Sequence, residues 1–241
     1  MTDWKAKRFW NEATVATVDG GFTVHLDARP VRTPLKSALI VPTERLAQAI
    51  AAEWDAQEGV IDPLSMPHTR SANSAIDKVA PQHAAVAQML ADYGDSDLLC
   101  YRAPAPTELI ARQALHWDPL LEWAETQLGA RLHTATGVIH APQNPEALAQ
   151  LSAQVHALDA YALTGFHDLV SLSGSLVLGF AAMLDHRPVD EIWRLSRLDE
   201  DWQAELWGVD DEAAAMAEAK RSAFRHAKNF YDLSRPLDER P

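Results

Sequence analysis

The chain has 241 residues, 47% hydrophobic and 23% charged, with a mean hydropathy of -0.20; this is a globular composition long enough to bury a real core in one large or two modest domains. Its formal net charge of -13, from 34 acidic against 21 basic residues, repels polyanions and anionic membrane surfaces. Cys100 is the only cysteine, which excludes an internal disulfide framework and any all-cysteine metal site, and suits a reducing compartment.

The N-terminus, MTDWKAKRFW, lacks the apolar core of a secretory signal and is too short for a transit peptide before the fold begins. Thr14 to Val18 and Phe22 to Leu26 are rich in strand formers and flank Asp19-Gly20-Gly21, a three-residue hairpin connection. Asp27 to Pro30 marks a second turn, and Val31 to Thr33 and Ala38 to Val41 read as short strands broken by Pro34. Such a small antiparallel unit needs a helix to lean on. Thr43 is placed to cap one, with Leu46, Ile50 and Trp54 at four-residue spacing and Ala47 and Ala51 widening the stripe.

After an ordered loop from Gly59 to Pro67, Ala72, Ala75, Ile76 and Val79 predict a second amphipathic helix. From Pro81 onward the pattern is helical. The next helix carries a stripe of Val86, Met89, Leu90 and Tyr93, and Thr107 to Trp117 is followed by a helix from Leu120 to Leu128, with Asp118-Pro119 as its start and Gly129 as its stop. Leu132 to Pro142 reads as irregular or briefly extended, and Pro145 to Leu158 as amphipathic helix. Leu169 to Leu184 is apolar nearly all round, predicting one buried helix; it falls short of the ~20 residues a membrane span requires. Val189 to Trp202 and Asp210 to Phe230 complete the set, the last with acids in its first turn and Lys220, Arg221, Arg225 and Lys228 later, in agreement with the helix dipole. The expected fold is α+β, mainly α: a β-rich N-terminal domain over 1–80 with covering helices, and an all-α domain over 81–241.

Residues for chemistry are scarce. Neither common glycine-rich phosphate loop occurs, Ser173-Gly174-Ser175 lacks the frame of a nucleophile elbow and reads as small residues for helix packing, and the ten histidines show no metal-ligand spacing. The acid pair Asp95 and Asp97 follows Gly94 and reads as capping. No cofactor and no metal are expected. Arg70, Asn73 and Asp77 share a helical face at i, i+3 and i+7; with Arg102 they either tie the loop to the β unit or form a polar pocket. Of eight tryptophans, Trp54, Trp117, Trp123 and Trp193 lie on apolar stripes and read as core, while Trp4, Trp10, Trp202 and Trp207 read as candidates for a contact surface.

The segments LDARPVRTP, EWDAQ, IDPLSMPHTRSANSAID, YGDSDLLCYRA, WDPLLEWA, SLSGSLVLGFA and LDEDWQAELWG, spread from about Arg8 to about Phe230, resemble one family, the assembly chaperones of the F-type ATP synthase catalytic head. The resemblance implies a non-catalytic factor that binds the unassembled alpha subunit and shields its subunit interface until assembly. It implies a protein monomeric when free, with no nucleic acid and no membrane insertion, cytoplasmic in bacteria and in the mitochondrial matrix for organellar relatives. In that family an acidic residue just after a Trp-Gly dipeptide is associated with function. Trp207-Gly208 puts the match on Asp211 or Glu212, and these two, with Trp207 and Trp202, are the partner-binding candidates. The rival reading is an enzyme of unknown reaction that uses Arg70, Asn73, Asp77 and Arg102 as an interdomain anion or carboxylate pocket.

Overall fold

The computed structural model describes residues 7–236, which form two compact units: 7–83 with 160–165 and 229–236, and 84–159 with 166–228. The first unit is built on a three-stranded antiparallel sheet of β1 (Ala13–Val18), β2 (Gly21–Leu26) and β3 (Arg29–Pro30), in the order β1-β2-β3. The hairpin pairs Val15 with Val24 and Val18 with Gly21. Its connection is therefore Asp19-Gly20 alone, one residue shorter than expected, with Gly20 at φ 85° and Gly21 at φ 144°. Glycine is required at the second position on two counts: its φ is barred to side chains, and a Cβ there would lie 2.3 Å from the Val41 carbonyl oxygen. That close approach lets Phe22 N–H donate to Val41 O at 2.9 Å and Val41 N–H return to Phe22 O at 2.8 Å.

The two further strands foreseen around Pro34 are reduced to the bridges Arg32 with Ala38 and Phe22 with Val41. Pro34 has no N–H to add to a ladder, and Lys36 at φ 72° turns the chain. Helix α1 (Glu44–Asp55) begins as expected at Thr43, whose side chain accepts from Leu46 N–H, and it buries Leu46, Ala47, Ile50 and Ala51. These join Val24, Leu26, Val31, Leu39 and Val41 in one core, completed by Phe230. Trp10 belongs to the same core at 3% exposure, with its ring edge-on to Trp54, so its expected place on a contact surface is overturned. Trp4 lies outside the described residues.

Helix α2 (Pro67–Ser74) is held at its start by a side chain from α1. The Glu53 carboxylate accepts from His68 N–H (2.6 Å), His68 Nδ1 (2.8 Å), Thr69 N–H (2.8 Å) and Thr69 Oγ1 (2.7 Å). Burial raises the Glu53 pKa, but those bonds outweigh it and hold the carboxyl below the usual range. A π-helical turn over Ala75–Val79 and a 3₁₀ turn over Ala80–Gln82 carry the helical path on from α2.

In the second unit, α3 (His83–Ala91) buries Ala87, Leu90 and Ala91, while Met89, expected in its stripe, is 45% exposed. A two-residue parallel pair joins β4 (Tyr101–Arg102) to β5 (Ala135–Thr136), which accounts for the briefly extended stretch after Leu132. Between them α4 (Thr107–Gln127) runs unbroken through Pro119, contrary to the expected stop and restart. An interior proline costs a helix about 3 kcal/mol. Here Trp117 and Leu120 are fully buried on either side of it, Ala124 likewise and Leu121 nearly so, each large apolar side chain contributing roughly 1.5–3 kcal/mol, so packing overrides the local signal.

Helix α5 (Pro145–His156) is capped by Asn144. The single buried helix expected over 169–184 is instead two, α6 (Ala160–Ser173) and α7 (Leu176–Met183). Gly174 at φ 72° ends the first, and Ser175 caps the second by accepting from Leu178 N–H. Both helices are apolar, so hydrophobicity runs on across the break and hides it. Serine and glycine at this point are stop and start signals, a correction to their reading as packing residues. Asp97, wholly buried, sits at the start of α7: it accepts from Ser175 Oγ (2.7 Å), Val177 N–H (3.0 Å) and Leu99 N–H (3.0 Å). The C-terminal set is α8 (Val189–Ser196), α9 (Leu198–Trp207) and α10 (Asp211–Ser234), the stretch 189–202 being divided at Arg197.

Candidate partner-binding site at the junction of α9 and α10

The later part of α10 is firmly seated. Asp190 on α8 accepts from Arg225 Nε and Nη2, each at 2.6 Å, and from Arg221 Nε at 3.1 Å, and Phe224 is fully buried with its ring 5.6 Å from that of Trp193. The Arg225 hydrogen bonds hold the exposed Asp190 carboxyl down at about 2, with Arg221 adding to the effect. The earlier part is different. From Asp211 to Lys220 every residue is exposed except Ala217, which is half-buried. Ten residues at 1.5 Å rise make a projecting rod of about 15 Å.

Gly208, at φ 91° and ψ 162°, turns the chain from α9 into this rod. Asp210 is the cap: its carboxylate accepts from Ala213 N–H at 2.7 Å and its carbonyl from Ala214 N–H at 2.9 Å. With that duty taken, the carboxylates of Asp211 and Glu212 stand exposed in the first turn, where the helix dipole favours negative charge. Around the turn lie four exposed apolar side chains, Leu206 (59%), Trp207 (85%), Val209 (71%) and Met216 (57%). Between α8, α9 and α10 is a groove of about 380 Å³, lined by Trp193 and the guanidinium-bearing Arg194, Arg197 and Arg221 as well as by alanines of α9 and α10, among them Ala204 and Ala214. Burial, with Glu205 nearby, raises the Asp201 carboxyl above its usual range against the pull of Arg197.

Trp202 has a different setting from Trp207. It is half-buried, with the Arg112 guanidinium 4.8 Å over its ring, and Arg112 is held bidentate by Glu205 at 2.8 and 2.9 Å. That pairing lowers the Glu205 carboxyl. Trp202 is thus a wall behind the junction and Trp207 its projecting element. Leu206, Val209, Met216 and the alanine lining were not singled out in the sequence. The available signal was the run of large apolar residues on both sides of a glycine that separates two acid-rich helices.

The other candidates are placed elsewhere. In the first unit, the Asp77 carboxylate accepts from Thr33 Oγ1 at 2.7 Å and Leu35 N–H at 3.1 Å, tying the helical segment to the β unit, while Arg70 is exposed and Asn73 Oδ1 is buried without a hydrogen-bond partner. In the second unit, Arg102 donates to Leu99 O at 2.9 Å, pairs with Asp118 at 2.8 Å and lies 5.4 Å over Trp117. Both Asp77 and Arg102 are therefore engaged within their own units. Trp117 and Trp193 are buried as expected; Trp54 and Trp123 are half-buried, the latter stacked on His186. Among the described residues no group of three or more His, Cys, Asp or Glu side chains could hold a metal ion, and no helix is long and apolar enough to cross a membrane.

Residues 7–125 match the family described as ATP12 chaperone protein. The crystal structure of Atp12 from Paracoccus denitrificans is 52% identical, with a TM-score of 0.94 over 97% of this chain and 100% of that one. The chain belongs to the ATP12 chaperone family. An aspartate-to-lysine variant of the Paracoccus Atp12p matches with the same figures, and a protein of Agrobacterium tumefaciens is 42% identical with a TM-score of 0.90, over 95% of this chain and 86% of that one. The mitochondrial protein atp12 of Schizosaccharomyces pombe is 25% identical over 219 residues, 86% of this chain and 75% of the relative. The ATP12 fold therefore includes the α9–α10 junction as well as the matched N-terminal half, because the Paracoccus structure is covered in full.

Charge is unevenly divided between the two units of this ATP12 chain. The second holds 21 acidic and 10 basic residues, the first 10 and 9 among those described, so the helical unit supplies most of the negative field. Such a field draws in basic partner surfaces.

Proposed function

We propose that this ATP12-family chaperone acts in F-type ATP synthase assembly by holding the unassembled alpha subunit of the catalytic head, without catalysing a reaction. It would work in the bacterial cytoplasm, with organellar relatives in the mitochondrial matrix. A subunit that has not met its neighbours exposes a large apolar interface and aggregates through it. A chaperone needs a surface with apolar anchors and charges that guide the encounter, and it must remain soluble when free. The observation that carries the reading is Trp207, 85% exposed between two helices beside the exposed carboxylates of Asp211 and Glu212. Trp is the residue type most enriched among binding hot spots, and an anchor of this kind is worth roughly 2–4 kcal/mol when it fills a partner pocket.

The partner-binding set is then Trp207, Asp211 and Glu212, with Trp202 supporting them from behind. The test is capture of purified alpha subunit by the wild-type chain and by a variant carrying Asp211→Ala and Glu212→Ala. The variant is expected to bind at least tenfold more weakly, about 1.4 kcal/mol, with its melting temperature nearly unchanged, since neither carboxylate caps the helix. Unaltered affinity would remove these two residues from the contact.

A further inference from the structure

Strand β1 is an edge of the three-stranded sheet, and the hydrogen bonds of its neighbour fix which of its own backbone groups are engaged. Phe22 exchanges both of its bonds with Val41, at 2.9 and 2.8 Å, and the Val24 carbonyl accepts from Val31 N–H at 2.9 Å, so these two residues of β2 face away from β1. Their partners in the register are Thr17 and Val15. Residues opposite one another in an antiparallel pair point their polar groups either at each other or away together. Thr14, Ala16 and Val18 therefore bond to β2, while Ala13, Val15 and Thr17 turn N–H and C=O to the open side. Asp55 Oδ1 takes the Ala13 N–H at 2.9 Å. No described residue hydrogen-bonds the outward groups of Val15 or Thr17.

Edges of this kind are normally closed by a lysine or proline on the strand, by a bulge, or by a covering element that keeps other chains from pairing there. β1 reads Ala-Thr-Val-Ala-Thr-Val, with no charge and no proline, and no bulge interrupts its register with β2. Thr17 is exposed and Val15 half-buried. Size and charge narrow what can pair with it. Six residues at ~3.4 Å each make a seam about 20 Å long and about 10 Å across, or roughly 200 Å² a side. A stable dimer needs about 800 Å² per partner, so two copies joined edge to edge would not hold. The seam suits a partner that is gripped elsewhere as well. Glu12 and Asp19, the residues that flank the strand, are exposed acids with no ion pair among the described residues, and Asp55 at the Ala13 end has Arg8 at 3.6 Å. An acidic strand would be repelled at both ends.

We infer that β1 is a site of strand addition, which takes an extended segment of the client as a further strand hydrogen-bonded to Val15 and Thr17. The segment is uncharged and rich in β-branched or aromatic residues, and any charge flanking it is basic. This rests on the reading of the chain as an alpha-subunit chaperone and adds a second contact to the one at Trp207. Main-chain bonds give such a contact its affinity, and joining it to another on the same client multiplies the hold.

The alternation along β1 supplies an internal control. Residue-resolved hydrogen exchange is measured on the full chain, free and in complex with purified alpha subunit. In the free chain the amides of Val15 and Thr17 are expected to exchange fast and those of Ala16 and Val18 slowly. In the complex the first two are expected to slow by about tenfold or more, with the others unchanged. Thr17→Pro removes an N–H that β2 does not use, and proline is tolerated at such edge positions; Thr17→Val keeps the N–H. The proline variant is expected to capture alpha subunit about fivefold more weakly, and the valine variant within about twofold of wild type. Val15 and Thr17 amides that stay fast in a complex that does form, or equal capture by the two variants, overturn strand addition and leave the chaperone reading in place. Protection that grows with chain concentration in the absence of alpha subunit assigns the edge to a second copy and overturns the client as occupant. Should Thr17→Pro fail to fold, the exchange measurement on the wild type decides alone. Failure of the wild-type chain to capture alpha subunit at all overturns the chaperone reading, and the strand-addition site with it.

Discussion

Replacing Asp97 by alanine tests how the helical unit is held together. The carboxylate is completely buried and accepts from Ser175 Oγ, Val177 N–H and Leu99 N–H. Alanine leaves two backbone N–H groups buried without an acceptor, each costing about 1–3 kcal/mol, while the Ser175 hydroxyl can turn to another carbonyl. Against this stands the recovered cost of burying a carboxylate. The net loss is expected to be roughly 3 kcal/mol, or about 6–12 °C in melting temperature at ~2–4 °C per kcal/mol. Asp97→Asn, which keeps one acceptor oxygen, should lose roughly half as much.

Burial also pushes the Asp97 carboxyl above its ordinary value, in spite of the hydrogen bonds it accepts. The folded chain therefore takes up a proton there at a pH where the unfolded chain does not. In the window between the raised folded value and the ordinary 3.8, the stability of the wild type relative to Asp97→Asn should rise as pH falls, and level off below it. Denaturant melts of both proteins at steps of pH measure this. A loss under about 1 kcal/mol for alanine at neutral pH, or a relative stability that falls with acid, would refute the reasoning.

Three further outcomes are expected. Gly21→Ala should destabilise the β unit by about 1–3 kcal/mol, since the Cβ meets the Val41 carbonyl and the φ of 144° is strained for alanine, and a thermal melt reads it. Glu53→Gln should cost on the order of 2 kcal/mol, because an amide cannot accept at both ends from His68 and Thr69. Its carboxyl is depressed in the fold, so the stability it provides is present above the ordinary glutamate value and is lost as pH falls through the lower folded one; wild type and variant should converge in acid. Trp207→Ala should leave the melting temperature unchanged within about 1 °C and weaken alpha-subunit capture by tenfold or more, as calorimetric titration would show.

The sequence carried most of the local structure. The hairpin, the Thr43 cap and the stripe of α1 were legible because strand alternation, a capping threonine and four-residue spacing are all short-range signals. The errors share one cause: long-range packing outweighing a local rule. Pro119 reads as a helix start and is an interior residue, since Trp117 and Leu120 are buried on either side. Gly174 reads as a packing residue and is a break, and its purpose is visible only when Asp97, 78 residues before Ser175, is seen at the start of α7. Trp10 reads as an exposed terminal aromatic and is core, because α1 and Phe230 close over it.

The candidate site was half legible. Trp207, Asp211 and Glu212 could be picked out, but Asp210 had to be assigned as the cap before the other two acids were seen to stand exposed in the first turn. The groove could not be read at all, since alanine in a helix signals propensity and nothing about what faces it.

At the centre stands the proposal that this chain keeps the alpha subunit of the F-type ATP synthase catalytic head soluble until assembly. Its most direct measurement is co-expression of that subunit, without its partner subunits, in the presence and absence of this chain. With the chain present, the alpha subunit is expected to move from the pellet to the soluble fraction and to co-purify as a complex with the chain. An alpha subunit that pellets equally in both cultures, with none recovered on the chain, would contradict it.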